Sequence, residues 1–396
     1  MNYDFSEHIE RRGTHSLKHD LVGQIWGRED LIPMWVADMD FATPPFVLEA
    51  VKHRLENRVL GYTVPYEEYY ESIIAWNKHR YGLDVKKEEI SQIPGVVAGM
   101  NNALQAFTNA GDSVMIMQPV YHPFRLVTEA LGRKVVDCPL LFVDGRYEVD
   151  FELMEKLAYS CKVLILCNPH NPGGFTWTPE TLKRIAEICF RCGVVVIDDE
   201  IHADLVFEGF KHTPFLSVNK EAKAVGITLQ SPTKAFNMPG VIAAHAIVKD
   251  SKLRSRFFDF LRGSDADILS AFSYDCVSAC YTPEGEEWLN QMLDYVHGNI
   301  DYVCNYCAEN IPAVRPMRPE ASFLVFLDCR QLGFSSQKKL NDFFVDKAHL
   351  ALNSGDMFGH EGSGYMRMNV GCPRAVVEKA MENLASACHG LTSAEK

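Results

Sequence analysis

The sequence predicts an α/β protein with a mostly parallel central sheet, helices on both faces of that sheet, and a smaller α+β domain. Short apolar runs alternate with amphipathic helical segments between about residues 114 and 248. This alternation is typical of a parallel sheet that is covered on both faces. The chain has 396 residues, which exceeds the size that one hydrophobic core usually organises, so we expect two domains.

Periodicity and turn residues predict the individual elements along the chain. Apolar residues spaced by three and four predict helices over 44–59, 67–81, 97–109, 123–131, 178–192, 284–310, 337–346 and after 373. Short apolar runs predict strands over 114–117, 135–137, 162–167, 194–198, 224–229, 241–248, 323–327 and 365–370. The helix over 178–192 has the clearest start, because Thr178 can cap it and Pro179 suits its first position.

The order of these elements predicts the division into domains. Alternating strands and helices place residues 44–285 in a large domain, and the later elements place residues 286–396 in a small C-terminal domain. Residues 1–43 are predicted to form an N-terminal segment that packs with the small domain. The long helix over 284–310 would connect the two domains.

Composition argues against several classes of partner. The chain has 39 basic and 52 acidic residues, a net charge of −13, and no basic run. Nucleic acids and anionic membranes favour basic surfaces, so neither is an expected partner. No apolar run reaches the 18 residues of a membrane span, and residues 1–12 are polar rather than signal-like. We therefore expect a cytoplasmic protein.

Twelve cysteines include two pairs with the spacing of zinc ligands, Cys189/Cys192 and Cys304/Cys307. Both pairs lie in segments with helical periodicity, where positions i and i+3 face the same side. Cysteine is a common small core residue, so we interpret both pairs as core packing and predict no metal site. Nothing in the sequence indicates the oxidising compartment that a disulfide framework needs.

Polar residues follow three of the predicted strands. Asn171 lies in a loop rich in Pro and Gly after the strand over 162–167, and Asp199 directly follows the strand over 194–198. Ser231, Thr233 and Lys234 follow the strand over 224–229. Ligands of open α/β sheets bind beyond the carboxyl ends of the strands, so these residues are expected to converge.

The chemistry of these residues points to a ligand that carries both charge and a carbonyl group. A lysine in apolar surroundings has a lowered pKa, and its neutral amine can form a Schiff base. A carboxylate at the end of a buried strand requires a cationic partner, and two hydroxyls suit a phosphate. Each residue also has a plainer interpretation. Asn171 could belong to an ordinary Asn-Pro turn, Asp199 could be an acid that stabilises a helix N-terminus, and Lys234 could be a surface lysine.

The Ser231-x-x-Lys234 spacing also matches that of serine acyl-enzymes. Those enzymes need Ser-Asp-Asn and Lys-Thr-Gly in addition, and neither tripeptide occurs in this sequence. This alternative is therefore disfavoured.

Six motifs in order carry a resemblance that spans residues 34–373. They are Met34-Trp35-Val36-Ala37-Asp38-Met39-Asp40-Phe41, Gly61-Tyr62, Pro119-Val120-Tyr121-His122-Pro123-Phe124, Asn168-Pro169-His170-Asn171-Pro172-Gly173-Gly174, Asp199-Glu200-Ile201-His202 and Met366-Arg367-Met368-Asn369-Val370-Gly371-Cys372-Pro373. With Ser231-x-x-Lys234, this order resembles the fold-type I pyridoxal 5′-phosphate (PLP) enzymes, the aspartate aminotransferase family (class I/II). It is most similar to the MalY/PatB-like cystathionine β-lyase (C–S lyase) branch.

The resemblance implies that the large domain binds PLP. Lys234 would carry the cofactor as a Schiff base and, once released by substrate, remove the Cα proton. Asp199 would pair with the pyridine nitrogen, which strengthens the electron sink. Asn171 and His202 would lie at the phenolic oxygen, where many relatives have tyrosine in place of the histidine. Tyr121 would stack on the ring and assist proton transfer.

The resemblance also implies how the phosphate and the substrate are bound. The hydroxyls of Ser231 and Thr233 and the backbone N–H groups near Val97 and Ala98, at a helix N-terminus, would bind the phosphate. Tyr62 would reach the phosphate of a neighbouring subunit, which implies a homodimer. Relatives often have arginine eight residues after the lysine, whereas this sequence has Ile242.

The substrate carboxylate would be bound by Arg367, whose planar guanidinium matches it, and by the backbone near Ala37. The branch implies β-elimination of L-cystathionine or a related cysteine S-conjugate to thiol, pyruvate and ammonia. The alternative is an aminotransferase for a neutral or aromatic amino acid, which shares the first steps. A third possibility is a regulatory binding protein that retains the fold.

Overall fold

The computed structural model describes residues 2–391. Its α-helices, in chain order, are α1 (Leu17–Asp20), α2 (Val22–Trp26), α3 (Pro45–Glu56), α4 (Glu67–Tyr81), α5 (Val96–Phe107), α6 (Pro123–Ala130), α7 (Phe151–Ala158), α8 (Pro179–Cys192), α9 (Lys220–Val225), α10 (Ser251–Gly263), α11 (Ala271–Cys280), α12 (Pro283–Asn310), α13 (Gln337–Asp346) and α14 (Arg374–His389). Its strands are β1 (Ile32–Pro33), β2 (Ile90–Ile93), β3 (Ser113–Ile116), β4 (Lys134–Asp137), β5 (Leu141–Val143), β6 (Arg146–Glu148), β7 (Val163–Cys167), β8 (Val195–Asp199), β9 (Gly226–Gln230), β10 (Ala244–Ile247), β11 (Arg315–Met317), β12 (Leu324–Asp328), β13 (Leu350–Ala351), β14 (Asn353–Ser354) and β15 (Tyr365–Asn369).

The central sheet has seven strands in the order β2-β10-β9-β8-β7-β3-β4. Strands β9, β8, β7, β3 and β4 pair in parallel, and β10 is antiparallel to both of its neighbours. Alternate side chains of β3 enter different cores: Val114 and Ile116 pack on one face of the sheet and Met115 on the other. The structure therefore confirms the predicted fold class, a mostly parallel sheet with helices on both faces.

Helix α8 shows how local sequence sets the bounds of these elements. The Thr178 side chain accepts a hydrogen bond from the N–H of Thr181, and Pro179 occupies the first position, as predicted. Gly193 ends the helix in the left-handed conformation with φ 68°, which glycine adopts without steric cost. The next strand, β8, can therefore begin two residues later.

A second, antiparallel sheet forms the smaller α+β part of the molecule, in the order β11-β12-β15-β14. Helices α12 and α14 contribute to the same hydrophobic core as β12 and β15. The N-terminal segment pairs with this part of the chain, since Ile32 lies opposite Leu350 and Pro33 opposite Ala351 in a parallel bridge. The division at residues 43/44 and 285/286 stays a prediction.

Some element bounds differ from the sequence-based ones. Residues 224 and 225 end α9 instead of starting β9, and a 3₁₀ turn over Pro239–Val241 shortens β10. Helices α10 and α11 and strand β2 were not predicted, because α10 is mostly polar and α11 consists largely of small residues. Within residues 2–391, no helix has the length and apolar character required to cross a bilayer.

Candidate active site

A cavity of about 820 Å³ opens at the carboxyl ends of β7, β8 and β9. These three strands are neighbours, and their pairing brings Cys167 opposite Asp199 and Asp199 opposite Leu229. The loops that follow them therefore meet at one edge of the sheet. Of the residues singled out from the sequence, the cavity wall includes Ala37, Val97, Ala98, Tyr121, Asn171, Asp199, His202, Ser231, Thr233 and Lys234.

Lys234 is a half-buried residue that contributes an amine to this wall. Burial lowers the pKa of Lys234 to about 8, although the negative charge of Asp38 acts in the opposite direction. Its Nζ donates a hydrogen bond to the Ala37 carbonyl at 2.5 Å. A large fraction of this lysine is therefore neutral in mildly alkaline solution, as nucleophilic attack on an aldehyde requires.

Asp199 provides a buried acid on the neighbouring strand. Burial raises the pKa of Asp199 to about 7, and the N–H of Ile201, which donates to Oδ1 at 3.1 Å, partly offsets this effect. A cation that enters the cavity would stabilise the ionised form of this buried carboxyl group. A protonated pyridine nitrogen is such a cation.

Arg367 adjoins the cavity through Asn171. The NH1 group of Arg367 donates to Asn171 Oδ1 at 3.2 Å, and NH2 donates to Asn353 Oδ1 at 2.7 Å and to the Trp35 carbonyl at 3.0 Å. Its Nε is buried without a partner, and burial lowers the pKa of Arg367 to about 10. The guanidinium therefore retains an unpaired donor for a carboxylate, and Asn171 keeps its amide N–H groups for the cavity.

His202 and Tyr121 supply the aromatic part of the wall. His202 is buried, and burial lowers its pKa to about 3, which keeps the ring neutral. Its Nδ1 is also buried without a hydrogen-bond partner. Burial raises the pKa of Tyr121, so the phenol stays protonated. Both residues can exchange hydrogen bonds with a polar ring without adding charge.

One end of the cavity has the features of a phosphate site. Helix α5 begins there after Gly95, whose φ of 115° is a conformation that other residues rarely adopt, and the cavity wall includes Val97 and Ala98 in its first turn. Ser231 and Thr233 lie beside it with their hydroxyls 2.7 Å apart, and Ser231 donates to the Ala243 carbonyl at 2.6 Å. Ile242 lines the same region.

These features fit PLP. The orphaned Nδ1 of His202 and the available amide of Asn171 suit a ring oxygen, and the buried acid suits a ring nitrogen. The first turn of α5 suits a phosphate dianion, because its N–H groups are unpaired within the helix. Lys234 lies on the same wall and can reach an aldehyde.

Tyr62 is the one predicted site residue that the structure leaves far from this wall. Its relative exposure is 103%, and it does not line the cavity of its own chain. Sequence reasoning missed Asn353, which binds Arg367 and carries no recognisable local signal. It also missed the role of the Trp35 carbonyl, since a backbone acceptor is visible only in three dimensions.

The two cysteine pairs lie in different cores. Cys189 and Cys192 are on α8 beside the central sheet, whereas Cys304 and Cys307 are on α12 beside the small sheet. Within the described residues, no group of three or more His, Cys, Asp or Glu side chains is arranged to hold a metal ion.

Comparisons with known proteins agree with this geometry. The model of the family "Aminotransferase class I and II" matches residues 29–384. The cystathionine β-lyase PatB of Bacillus subtilis is 38% identical over 389 residues, which cover 98% of this chain and all of PatB.

Two solved structures are also similar to this chain. Cystalysin from Treponema denticola, whose crystal structure contains a pyridoxal 5′-phosphate cofactor, superposes with a TM-score of 0.95 at 34% identity, covering 99% of this chain and 100% of cystalysin. The PLP-bound C–S lyase of Staphylococcus hominis superposes with a TM-score of 0.89 at 30% identity, covering 98% and 99%. The chain therefore belongs to the aminotransferase class I and II family.

Proposed function

We propose that this protein is a PLP-dependent C–S β-lyase that converts L-cystathionine or a related cysteine S-conjugate to a thiol, pyruvate and ammonia. The observation that carries the proposal is a partly neutral lysine and a buried acid on one cavity wall, with an arginine that keeps an unpaired donor and is hydrogen-bonded to Asn171 of the same wall. The similarity to a cystathionine β-lyase and to two lyase structures favours elimination over transamination.

Each residue has a distinct task in this reaction. Arg367 binds the substrate α-carboxylate and fixes the direction of the Cα–H bond, because a guanidinium pairs with a carboxylate in a defined plane. Lys234 would hold the cofactor, and its amine, once free, would accept the Cα proton. PLP, when bound, withdraws electrons from Cα so that a β-thiolate can leave. Asp199 stabilises positive charge on the ring nitrogen, and the neutral rings of Tyr121 and His202 complete the enclosure.

The active form is proposed to be a homodimer in which Tyr62 reaches the cofactor phosphate of the partner subunit. Tyr62 lies in a surface loop with three other exposed apolar side chains, Val59 at 73%, Leu60 at 61% and Val64 at 78% exposure. An apolar loop of this kind is typical of a protein–protein contact. The partner's tyrosine would supply a phosphate donor that the chain itself lacks at Ile242. A cytoplasmic location stays a prediction.

The substrate class is tested with the purified holoenzyme and L-cystathionine. We expect pyruvate and free thiol to form in equal amounts when no keto-acid acceptor is added. Turnover that depends strictly on an added keto acid would indicate an aminotransferase. A cofactor spectrum that does not respond to any amino acid would indicate the regulatory binding protein.

A further inference from the structure

A loop over residues 35–41, here called the carboxylate loop, lies beside the active site, and its Ala37 lines the cavity. Its backbone contacts two of the site residues directly. The Ala37 carbonyl accepts from Lys234 at 2.5 Å, and the Trp35 carbonyl accepts from Arg367 at 3.0 Å. The position of this loop therefore determines where both side chains point.

Two asparagines hold the carboxylate loop from inside the site. Asn369 on β15 donates to the carbonyls of Val36 and Asp38, at 2.6 Å each. Asn237, three residues after Lys234, accepts from the N–H of Met39 at 2.9 Å and donates to the Met39 carbonyl at 3.0 Å. These anchors come from the segments that carry Arg367 and Lys234.

A third anchor comes from the N-terminal segment. Lys18 on α1 has a side chain only 1% exposed, and its Nζ donates to Asp40 Oδ2 at 2.7 Å and to the Asp38 carbonyl at 3.3 Å. Arg11 bridges the same two acids, with 2.7 Å to each carboxylate. The Lys18 amine thus joins the side chain of one loop residue to the backbone of another.

The burial of Lys18 requires an explanation, because a lysine is rarely removed from water unless it is paired. Surface ion pairs give little stability, and buried pairs often give no more than apolar packing would. A buried ion pair can instead specify one geometry, and Lys18 does so at the loop that meets both Lys234 and Arg367.

We propose that Lys18 is a positioning residue for the active site. It touches neither the cofactor cavity nor Arg367, and it acts by fixing the carboxylate loop through Asp40 and the Asp38 carbonyl. Nearby, the free Lys234 amine has a fixed acceptor in Ala37, and Arg367 has a fixed acceptor in Trp35. The contact with Arg367 concerns binding of the amino-acid carboxylate, so KM is expected to respond more than kcat.

The test is Lys18→Met, which keeps the side-chain length and removes the amine. We expect KM for the amino-acid substrate to rise about tenfold with a smaller change in kcat, which corresponds to the loss of one charged hydrogen bond in the bound state. The apparent dissociation constant of L-alanine, read from the cofactor absorbance, should rise by a similar factor. Arg11 and His19 still pair with Asp40, so the variant is expected to fold.

Two controls separate positioning from stability. The double variant Lys18→Met/Asp40→Asn also removes the carboxylate that Lys18 paired with, and Arg11 and His19 lose the same partner. Because neither change restores the lost anchor, KM should stay raised whether or not the melting temperature changes. Lys249 is the matched control, since it is 13% exposed, lies 2.5 Å from Glu89 Oε2 and also donates to a backbone carbonyl, that of Asp84. Lys249→Met should lower the melting temperature and leave KM within about twofold.

A return of KM to the wild-type value in the double variant would overturn the proposal, and so would an equal rise of KM in Lys249→Met. The KM readout rests on the proposed function, whereas the L-alanine titration does not, because alanine has no β leaving group. If cystathionine gives no pyruvate but alanine still changes the spectrum, the proposed reaction fails and the role of Lys18 is still decided by the titration.

Discussion

The two sides of the active site are built in different ways. The proposed cofactor side contains Asn171, Asp199 and Lys234, which lie at or after the ends of three neighbouring parallel strands. The substrate side is assembled across the chain, and the hydrogen bond from Arg367 to the Trp35 carbonyl joins residues 332 positions apart. The ends of neighbouring strands are sufficient to form the cofactor side. The substrate side forms only when the N-terminal segment, the central sheet and the small sheet come together.

This difference indicates that the cofactor side is held more rigidly than the substrate side. The groups on the cofactor side are carried by neighbouring strands of one packed sheet, where displacement of a strand disturbs close packing. The substrate side depends on hydrogen bonds between separate segments, which can loosen individually. Changes on the cofactor side should therefore affect the cofactor and kcat, and changes on the substrate side should mainly affect KM.

Lys234→Ala should have the largest effect. Without the amine, the visible absorbance of the cofactor–lysine linkage is lost, and kcat should fall by about 10³-fold or more, since both attachment and proton transfer depend on that group. The absorbance after dialysis and the rate of pyruvate release measure the two effects. Lys211→Ala, at an exposed lysine, is the control. Retention of the linkage absorbance in Lys234→Ala would contradict the role of this residue.

Asp199→Asn should lower kcat by about 10²- to 10³-fold, within the range for removal of an electrostatic partner in an active site. The amide is neutral and cannot stabilise positive charge on the ring nitrogen, while its size is nearly unchanged. KM for substrate should change little, because Asp199 lies on the cofactor side. If Asp199→Asn changed only KM, it would contradict the proposal that residues on the cofactor side determine kcat.

Arg367→Met should raise KM about 100-fold, as expected when one partner of a buried charged pair is truncated. The cofactor–lysine absorbance should persist, because the arginine contacts Asn171 and the loop rather than Lys234. Arg318→Met removes an exposed ion pair with Asp301 and serves as the control. Loss of the bound cofactor in Arg367→Met would show that the two sides are not separable.

The smallest expected effect is on the pH dependence of cofactor incorporation, which concerns the cofactor side alone. Burial lowers the pKa of Lys234 to about 8, so the neutral fraction rises about tenfold per pH unit below that value and levels off above it. The rate at which the apoprotein forms the linkage should follow this curve. Asp38→Asn removes a charge that raises this pKa, so the plateau should begin at a lower pH. A shift to higher pH would contradict the effect assigned to Asp38.

The sequence was sufficient for the fold class and for the convergence of Asn171, Asp199 and Lys234 on one cavity. Apolar strands followed by Asn171, Asp199 and Lys234 are local patterns, and parallel topology brings their ends together. It was insufficient for Asn353 and Lys18, whose roles depend on contacts between distant segments. The exposure of Tyr62 fits a role in a partner subunit, but no local pattern says which surface faces a second chain.

The attachment of the cofactor to Lys234 tests the account most directly. The holoenzyme would be reduced with borohydride, digested, and mapped by mass spectrometry for peptides that carry a phosphopyridoxyl group. We predict the group on the peptide that contains Lys234. Its stable presence on another lysine, or its absence from every peptide of a protein reconstituted with PLP, would contradict the account.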